Sequence, residues 1–277
     1  MKNLISCQQL HEQLNNPALV IFDAGMLRPG VSGTYSPQAM LPSAKRFDIK
    51  NELADRSNPL PSTLCSAQQF TQVLQNAGVN NDSLVVIYED GDLFSAARAW
   101  WMLKAMGHHN VKVLSGGLKK WLACGYGVQQ GYSKALGEGN FTAIYNPRYF
   151  IKSQQVLNAI DDPDTVLLDA RAYKRFTGEE GEPRKGMRSG HIPNSRSLPF
   201  VDLLNDGEAK PLVEIKVIFN NVVGNSKQLQ FSCGSGITAC VLALFADECG
   251  YSNLGVYDGS WSEWGASDSL PIAIGEK

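Results

Sequence analysis

Phe231-Ser232-Cys233-Gly234-Ser235-Gly236-Ile237-Thr238-Ala239 places a cysteine at the head of a glycine-rich segment. Before it, Gln228-Leu229-Gln230-Phe231-Ser232 reads as a short strand, with apolar Val222 and Val223 further upstream. After it, an apolar run from Ala239 to Cys249 reads as a helix. A cysteine therefore opens a glycine-rich turn between a strand and a helix. Such a turn collects backbone N–H groups around the sulfur, and the helix start adds its positive end. Both favour an anion, so the thiol is expected to ionise more readily than a free cysteine. A ring of amides also suits a persulfide, Cys–S–S⁻, with no metal and no cofactor.

Outward from this stretch, the chain repeats itself. Leu84-Val85-Val86-Ile87-Tyr88-Glu89 matches Gln228 to Cys233, and Leu19 to Ala24 matches Val166 to Ala170. Met40-Leu41-Pro42-Ser43-Ala44 matches His191-Ile192-Pro193-Asn194-Ser195. Gly116-Gly117-Leu118-Lys119-Lys120-Trp121 matches Gly259-Ser260-Trp261-Ser262-Glu263-Trp264. The offset stays near about 145 residues, which indicates a duplicated domain and not a short-period solenoid. Glu89 stands where the second half has Cys233.

Each half alternates helix and strand signals. In the first half helices are expected over 6–14, 66–77 and 94–106, with a short one over 118–123. Strands are expected over 19–23, 84–88 and 111–114. The second half opens with a helix over 153–160 and a strand over 166–169. The strands are short and rich in Val, Ile and Leu, as in parallel strands covered on both faces. The expected fold is α/β, two tandem domains, each a central, mainly parallel sheet with helices on both faces. Expected bounds are 1–130 for the first domain, 131–149 for a linker and 150–277 for the second. Ligands in such sheets bind beyond the carboxyl ends of the strands, where the Cys233 loop falls.

Bulk properties narrow the function classes. The chain has 277 residues, 43 % hydrophobic and 19 % charged, with a net charge of −2. That balance argues against a general nucleic-acid binder or an anionic-membrane binder. No apolar run is long enough to span a bilayer, and the N-terminus turns polar at Gln8, so a cytoplasmic protein is expected. The six cysteines (7, 65, 124, 233, 240 and 249) show neither a CxxC pair nor zinc-like spacing with histidine. His108-His109 has no partner at ligand spacing, so no metal site is expected. Cys240 falls inside the helix and reads as a small core residue.

Three second-half motifs together resemble the tandem rhodanese family of sulfurtransferases. They are Asp169-Ala170-Arg171 through Glu182-Pro183-Arg184 to Gly190-His191-Ile192-Pro193, the Cys233 loop, and Tyr257-Asp258-Gly259-Ser260-Trp261-Ser262-Glu263-Trp264. The resemblance covers nearly the whole chain. It implies two rhodanese-like domains, a catalytic C-terminal half, and an N-terminal half whose cysteine is lost. Within the family, thiosulfate sulfurtransferases place cationic residues just after the cysteine. Gly234 and Ser235 here resemble instead the 3-mercaptopyruvate sulfurtransferases, whose donor is a monocarboxylate bearing a ketone and a thiol.

On this reading Cys233 is the nucleophile and sulfur carrier, and Gly234, Ser235, Gly236, Ile237 and Thr238 supply the amide cradle. The Ser235 hydroxyl either contacts the donor or only shapes a turn, and contact is the favoured reading. Thr238 is expected to cap the following helix more than to touch substrate. Arg175 and Arg184 match the family's carboxylate clamps, a role suited to the rigid guanidinium fork. Arg171 is expected to be structural, tied to Asp169 or Glu182. His191 is expected to bond backbone and not to act as a base; Trp261 and Trp264 are expected in the core. Some mercaptopyruvate-type members are proposed to use a Ser–His–Asp relay, and Met40 stands where that histidine would be. The first-half Asp-Ala-Arg is likewise altered to Asp23-Ala24-Gly25.

Three rival functions share parts of this pattern. A cysteine phosphatase needs Cys-x5-Arg, and Ala239 occupies that end. A non-enzymatic sulfur-sensing or interaction module suits the first half alone. A thiosulfate sulfurtransferase is the nearest rival. Expected partners are a small-molecule sulfur donor and an acceptor, either cyanide or a thiol such as thioredoxin or glutathione. The expected oligomeric state is a monomer.

Overall fold

The computed structural model describes residues 1–276. The chain folds into two compact units, 1–57 with 64–146 and 206–209, and 58–63 with 147–205 and 210–277. The described part of the second unit ends at residue 276.

The first unit carries a five-stranded sheet. Its strands lie in the order Leu4–Ile5, Val111–Leu114, Leu84–Tyr88, Leu19–Asp23, Lys45–Arg46, all parallel. Helices Cys7–Glu12, Ala67–Asn76, Ala96–Ala105 and Gly117–Ala123 connect them. Ser6 starts the first helix with a capping box, its hydroxyl accepting from Gln9 N–H while the Gln9 side chain accepts from Ser6 N–H. Phe22, Phe47, Phe70 and Phe141 stack edge to face in a chain through the interior. Phe141 falls in the segment read from the sequence as linker and is buried. Trp100 and Trp101 are buried too.

The second unit repeats the wiring. Its sheet runs Phe150–Ile151, Leu254–Tyr257, Gln228–Ser232, Thr165–Asp169, Arg196–Ser197, again all parallel. The central pairs agree in register: Leu19 opposes Leu84 and Asp23 opposes Tyr88, as Thr165 opposes Gln228 and Asp169 opposes Ser232.

The helix Ala239–Cys249 follows the central strand and is buried from Ala239 to Ala246. Each Leu, Val or Phe so enclosed contributes about 1.5–3 kcal/mol of transfer free energy. The helix stops at Gly250, whose φ of 98° lets Tyr251 N–H return to Ala246 O at 3.1 Å. A strand covered on both sides and a helix buried nearly all round fix the loop between them at the carboxyl edge of the sheet.

Candidate active site

Cys233 sits at that edge, 2 % exposed. The loop is pinned by the turn that opens the helix Ser260–Trp264. Cys233 N–H donates to Ser260 Oγ at 3.2 Å, and that hydroxyl donates to Tyr257 O at 2.7 Å. Trp261 N–H donates to Cys233 O at 3.0 Å. Ser262 N–H and Oγ both donate to Gly234 O, at 2.9 and 2.6 Å. Ser260 adopts φ 47° to make this turn.

Past Gly234 the loop takes another bend, with Gly236 at φ 73°. Among the described residues, the N–H groups of Ser235, Ile237 and Thr238 have no protein acceptor, and neither has the Ser235 hydroxyl. Thr238 does not cap the helix, contrary to expectation. It already has helical angles (φ −72°, ψ −19°), so its side chain makes no cap bond. Cys240 is buried, with Sγ 3.3 Å from Gly236 O.

Two arginines reach this loop. Arg184 Nη1 donates to Ser262 Oγ and lies 3.4 Å from Gly234 O. Arg175 Nη2 would lie 3.3 Å from a Cβ built on Gly234, so that glycine lets the guanidinium approach. Glu182 accepts from Arg175 Nε at 3.2 Å and from Nη2 at 2.5 Å, and from Arg171 Nη1 at 2.7 Å. Arg171 further grips Asp169, donates to Gly190 O at 2.8 Å, and lies 4.2 Å over the Trp261 ring.

His191 does not approach as a base. Its Nδ1 is 2.9 Å from Phe176 O, its ring stacks on Phe176, and its backbone pairs with Ala273. Trp261 and Trp264 are fully buried, as expected. No group of three His, Cys, Asp or Glu could hold a metal among the described residues. Nor is any described helix long and apolar enough to cross a membrane.

The model of the rhodanese-like domain matches this chain twice, over residues 6–124 and 152–267. The chain belongs to the rhodanese family. The 3-mercaptopyruvate sulfurtransferase of Escherichia coli K12 is 38 % identical over 273 residues, covering 97 % of this chain and 96 % of its own. A mouse thiosulfate sulfurtransferase is 37 % identical over 272 residues, covering 94 % and 91 %. Among solved structures, the 3-mercaptopyruvate sulfurtransferase SseA from Escherichia coli superposes with a TM-score of 0.84 at 35 % identity, covering 94 % of this chain and 98 % of its own.

The first rhodanese unit keeps the loop and fills it from within. Glu89 Oε1 accepts from Gly91, Asp92 and Leu93 N–H at 2.8, 2.8 and 2.9 Å. These amides are the counterparts of Ser235, Gly236 and Ile237. Burial pushes the Glu89 carboxyl up to about 7, with Asp92 adding to the rise, while the Gly91 and Leu93 amides and Arg28 pull it down. The altered Asp23-Ala24-Gly25 has a similar explanation. Asp23 is bonded by Tyr132 OH at 2.9 Å and Tyr35 OH at 3.3 Å, with Arg46 Nη1 3.9 Å away, where Asp169 is gripped by Arg171. A Cβ at Gly25 would lie 2.1 Å from Tyr35 Oη. Met40, at the His191 position, is a buried member of the core.

Sequence reasoning assigned no role to Ser260, Ser262 or the Glu182–Arg175 pair. The two serines flank Trp261 in the quoted motif, and their alternation was the available signal.

Proposed function

We propose that the chain is a sulfurtransferase that takes sulfur from 3-mercaptopyruvate onto Cys233 and passes it to a thiol or to cyanide. The observation that carries this reading is a cysteine in a loop where, among the described residues, the Ser235, Ile237 and Thr238 N–H groups have no protein acceptor, with Arg184 beside it and no carboxylate on Arg184. A donor carrying one carboxylate fits that charge. The Cys233 thiolate attacks the donor sulfur; the S–S bond forms, the C–S bond breaks, and its electron pair leaves as the enolate of pyruvate. The proton on the transferred sulfur passes to that enolate, giving pyruvate and Cys233–S–S⁻. An acceptor thiolate or cyanide then attacks the outer sulfur and returns the Cys233 thiolate. Two successive displacements give ping-pong kinetics.

In this reading the N–H groups of Gly234, Ser235, Gly236, Ile237 and Thr238 face the persulfide anion, and the Ser235 hydroxyl bonds the donor thiol or ketone. Arg184 takes the carboxylate and Arg175 supports it. No histidine relay is needed in this step, because the donor thiol's own proton goes to the enolate. The protein works in the cytoplasm as a monomer, with thioredoxin or glutathione as thiol acceptor. Its functional domains are 1–130 and 150–277, joined by 131–149.

Thiosulfate is the second donor to consider, because the mouse thiosulfate sulfurtransferase is nearly as similar as the mercaptopyruvate enzymes. Intact-protein mass after brief exposure to each donor tests both readings. The expected result is one added sulfur atom, faster from 3-mercaptopyruvate, removed by a thiol and absent in Cys233→Ser. No added sulfur from either donor, in folded and reduced protein, would overturn the proposal.

A further inference from the structure

Beside the Cys233 loop, four charges cancel in pairs. Asp169 and Arg171 are 2.7 Å apart, and Glu182 ties Arg171 to Arg175 at 2.7 and 2.5 Å. Two carboxylates and two guanidinium groups sum to zero. Arg184 stands outside this set, because its partners are a carbonyl and a hydroxyl. The guanidinium neutralised by Glu182 lies against Gly234, the residue after the nucleophile. The Glu182 side chain is 4 % exposed, so water screens its charge poorly.

We infer that Glu182 sets the donor charge this site accepts: by neutralising Arg175 it leaves one net positive charge at the Cys233 loop, suited to a monoanion and not to a dianion. This rests on the sulfurtransferase reading above. Glu182 touches no donor atom. It acts through Arg175 and is a positioning residue whose charge, more than its shape, matters. Gly234 serves the same end, since its missing side chain leaves Arg175 next to the loop without adding a charge.

The alternative is that Glu182 only clamps Arg171 and Arg175 in place. The two accounts differ in the ratio of thiosulfate to mercaptopyruvate efficiency. Adding a unit of site charge favours a dianion over a monoanion, and at a separation of a few ångströms in a partly screened site this amounts to about tenfold. A purely architectural loss lowers both donors together.

The test uses the whole chain and reads kcat/KM for 3-mercaptopyruvate and thiosulfate, with single-turnover sulfur loading by intact mass. Glu182→Gln is expected to raise the thiosulfate-to-mercaptopyruvate ratio about tenfold. Glu182→Asp, which keeps the charge, is expected to hold the wild-type ratio. Arg175→Gln is expected to move the ratio the opposite way, and Arg175 is exposed enough for that variant to fold even if Glu182→Gln does not. Parallel losses on both donors in Glu182→Gln, or a larger loss on mercaptopyruvate in Arg175→Gln, would overturn the inference while leaving sulfur transfer intact. A wild type that loads sulfur from neither donor would overturn both.

Discussion

Glu89 and Cys233 are held by the same backbone bond: Leu118 N–H donates to Glu89 O at 2.8 Å, and Trp261 N–H donates to Cys233 O at 3.0 Å. The next residue agrees too, Lys119 N–H meeting Asp90 O at 3.0 Å as Ser262 N–H meets Gly234 O at 2.9 Å. The duplicated loop has therefore kept its frame and changed its charge carrier. In one unit a carboxylate on the chain occupies the amide ring, and in the other a sulfur stands at its mouth.

A stability consequence follows for Glu89. Its native carboxyl titrates near 7, above the ordinary glutamate value of 4.5. Between these two the native state holds a proton that the unfolded state has released. Stability from this group is thus fully present below 4.5 and is lost as pH rises toward 7. Glu89→Gln keeps an acceptor oxygen for the three amides and carries no charge. Thermal denaturation at pH 5 and pH 8 is expected to show the variant gaining on wild type as pH rises. An equal offset at both pH values would contradict the raised titration.

Gly25 offers a test of the first unit's rebuilt pocket. Restoring the arginine with Gly25→Arg drives side-chain atoms into the space held by Tyr35. The expected loss is about 1–3 kcal/mol, typical of overpacking. Combining it with Tyr35→Ala frees that space and lets the arginine reach Asp23, so the double variant is expected to recover part of the loss. Urea unfolding of the three proteins checks this, and a double variant no better than the single would assign the loss to backbone at position 25.

How much of this was legible beforehand follows from where the signals lie. The buried strands and the helix Ala239–Cys249 were readable because both faces of each are covered, so their composition is apolar throughout. The repeat was readable because both halves need the same strand, turn and helix starts. That Arg175 and Arg184 lie beside the Cys233 loop was expected from motif context. The pairing of Glu182 with Arg175 was not, because from Asp169 to Arg184 the sequence has three arginines and four carboxylates and no rule for which meets which. The capping role given to Thr238 failed because the loop enters the helix one residue early. The bonding of Asp23 by Tyr35 and Tyr132 joins residues far apart in the chain, and no local pattern announces it.

Ser262 links the loop to Arg184, since its hydroxyl donates to Gly234 O and receives Arg184 Nη1. Ser262→Ala leaves the N–H bond to Gly234 O but removes the hydroxyl from both. The stability cost is expected near about 1 kcal/mol, the usual worth of one hydrogen bond. The kcat/KM for 3-mercaptopyruvate is expected to fall about tenfold as Arg184 loses its support. Sulfur stoichiometry on Cys233 should stay at one atom per chain. Unchanged kcat/KM would mean that Arg184 needs no help from Ser262.

Arg184 itself carries the last prediction. Its guanidinium has no carboxylate partner among the described residues, so a donor carboxylate gains a charge-assisted pair there without displacing one. Arg184→Ala removes that pair at a cost of about 1.5–3 kcal/mol, equivalent to roughly ten- to hundredfold in binding. The KM for 3-mercaptopyruvate is expected to rise by that factor, with the second half-reaction, sulfur passing from loaded Cys233 to cyanide, nearly unchanged because cyanide has no carboxylate to hold. Steady-state kinetics and single-turnover discharge of preloaded protein separate the two. Equal losses in loading and discharge would place Arg184 in the frame of the Cys233 loop and take it out of carboxylate recognition.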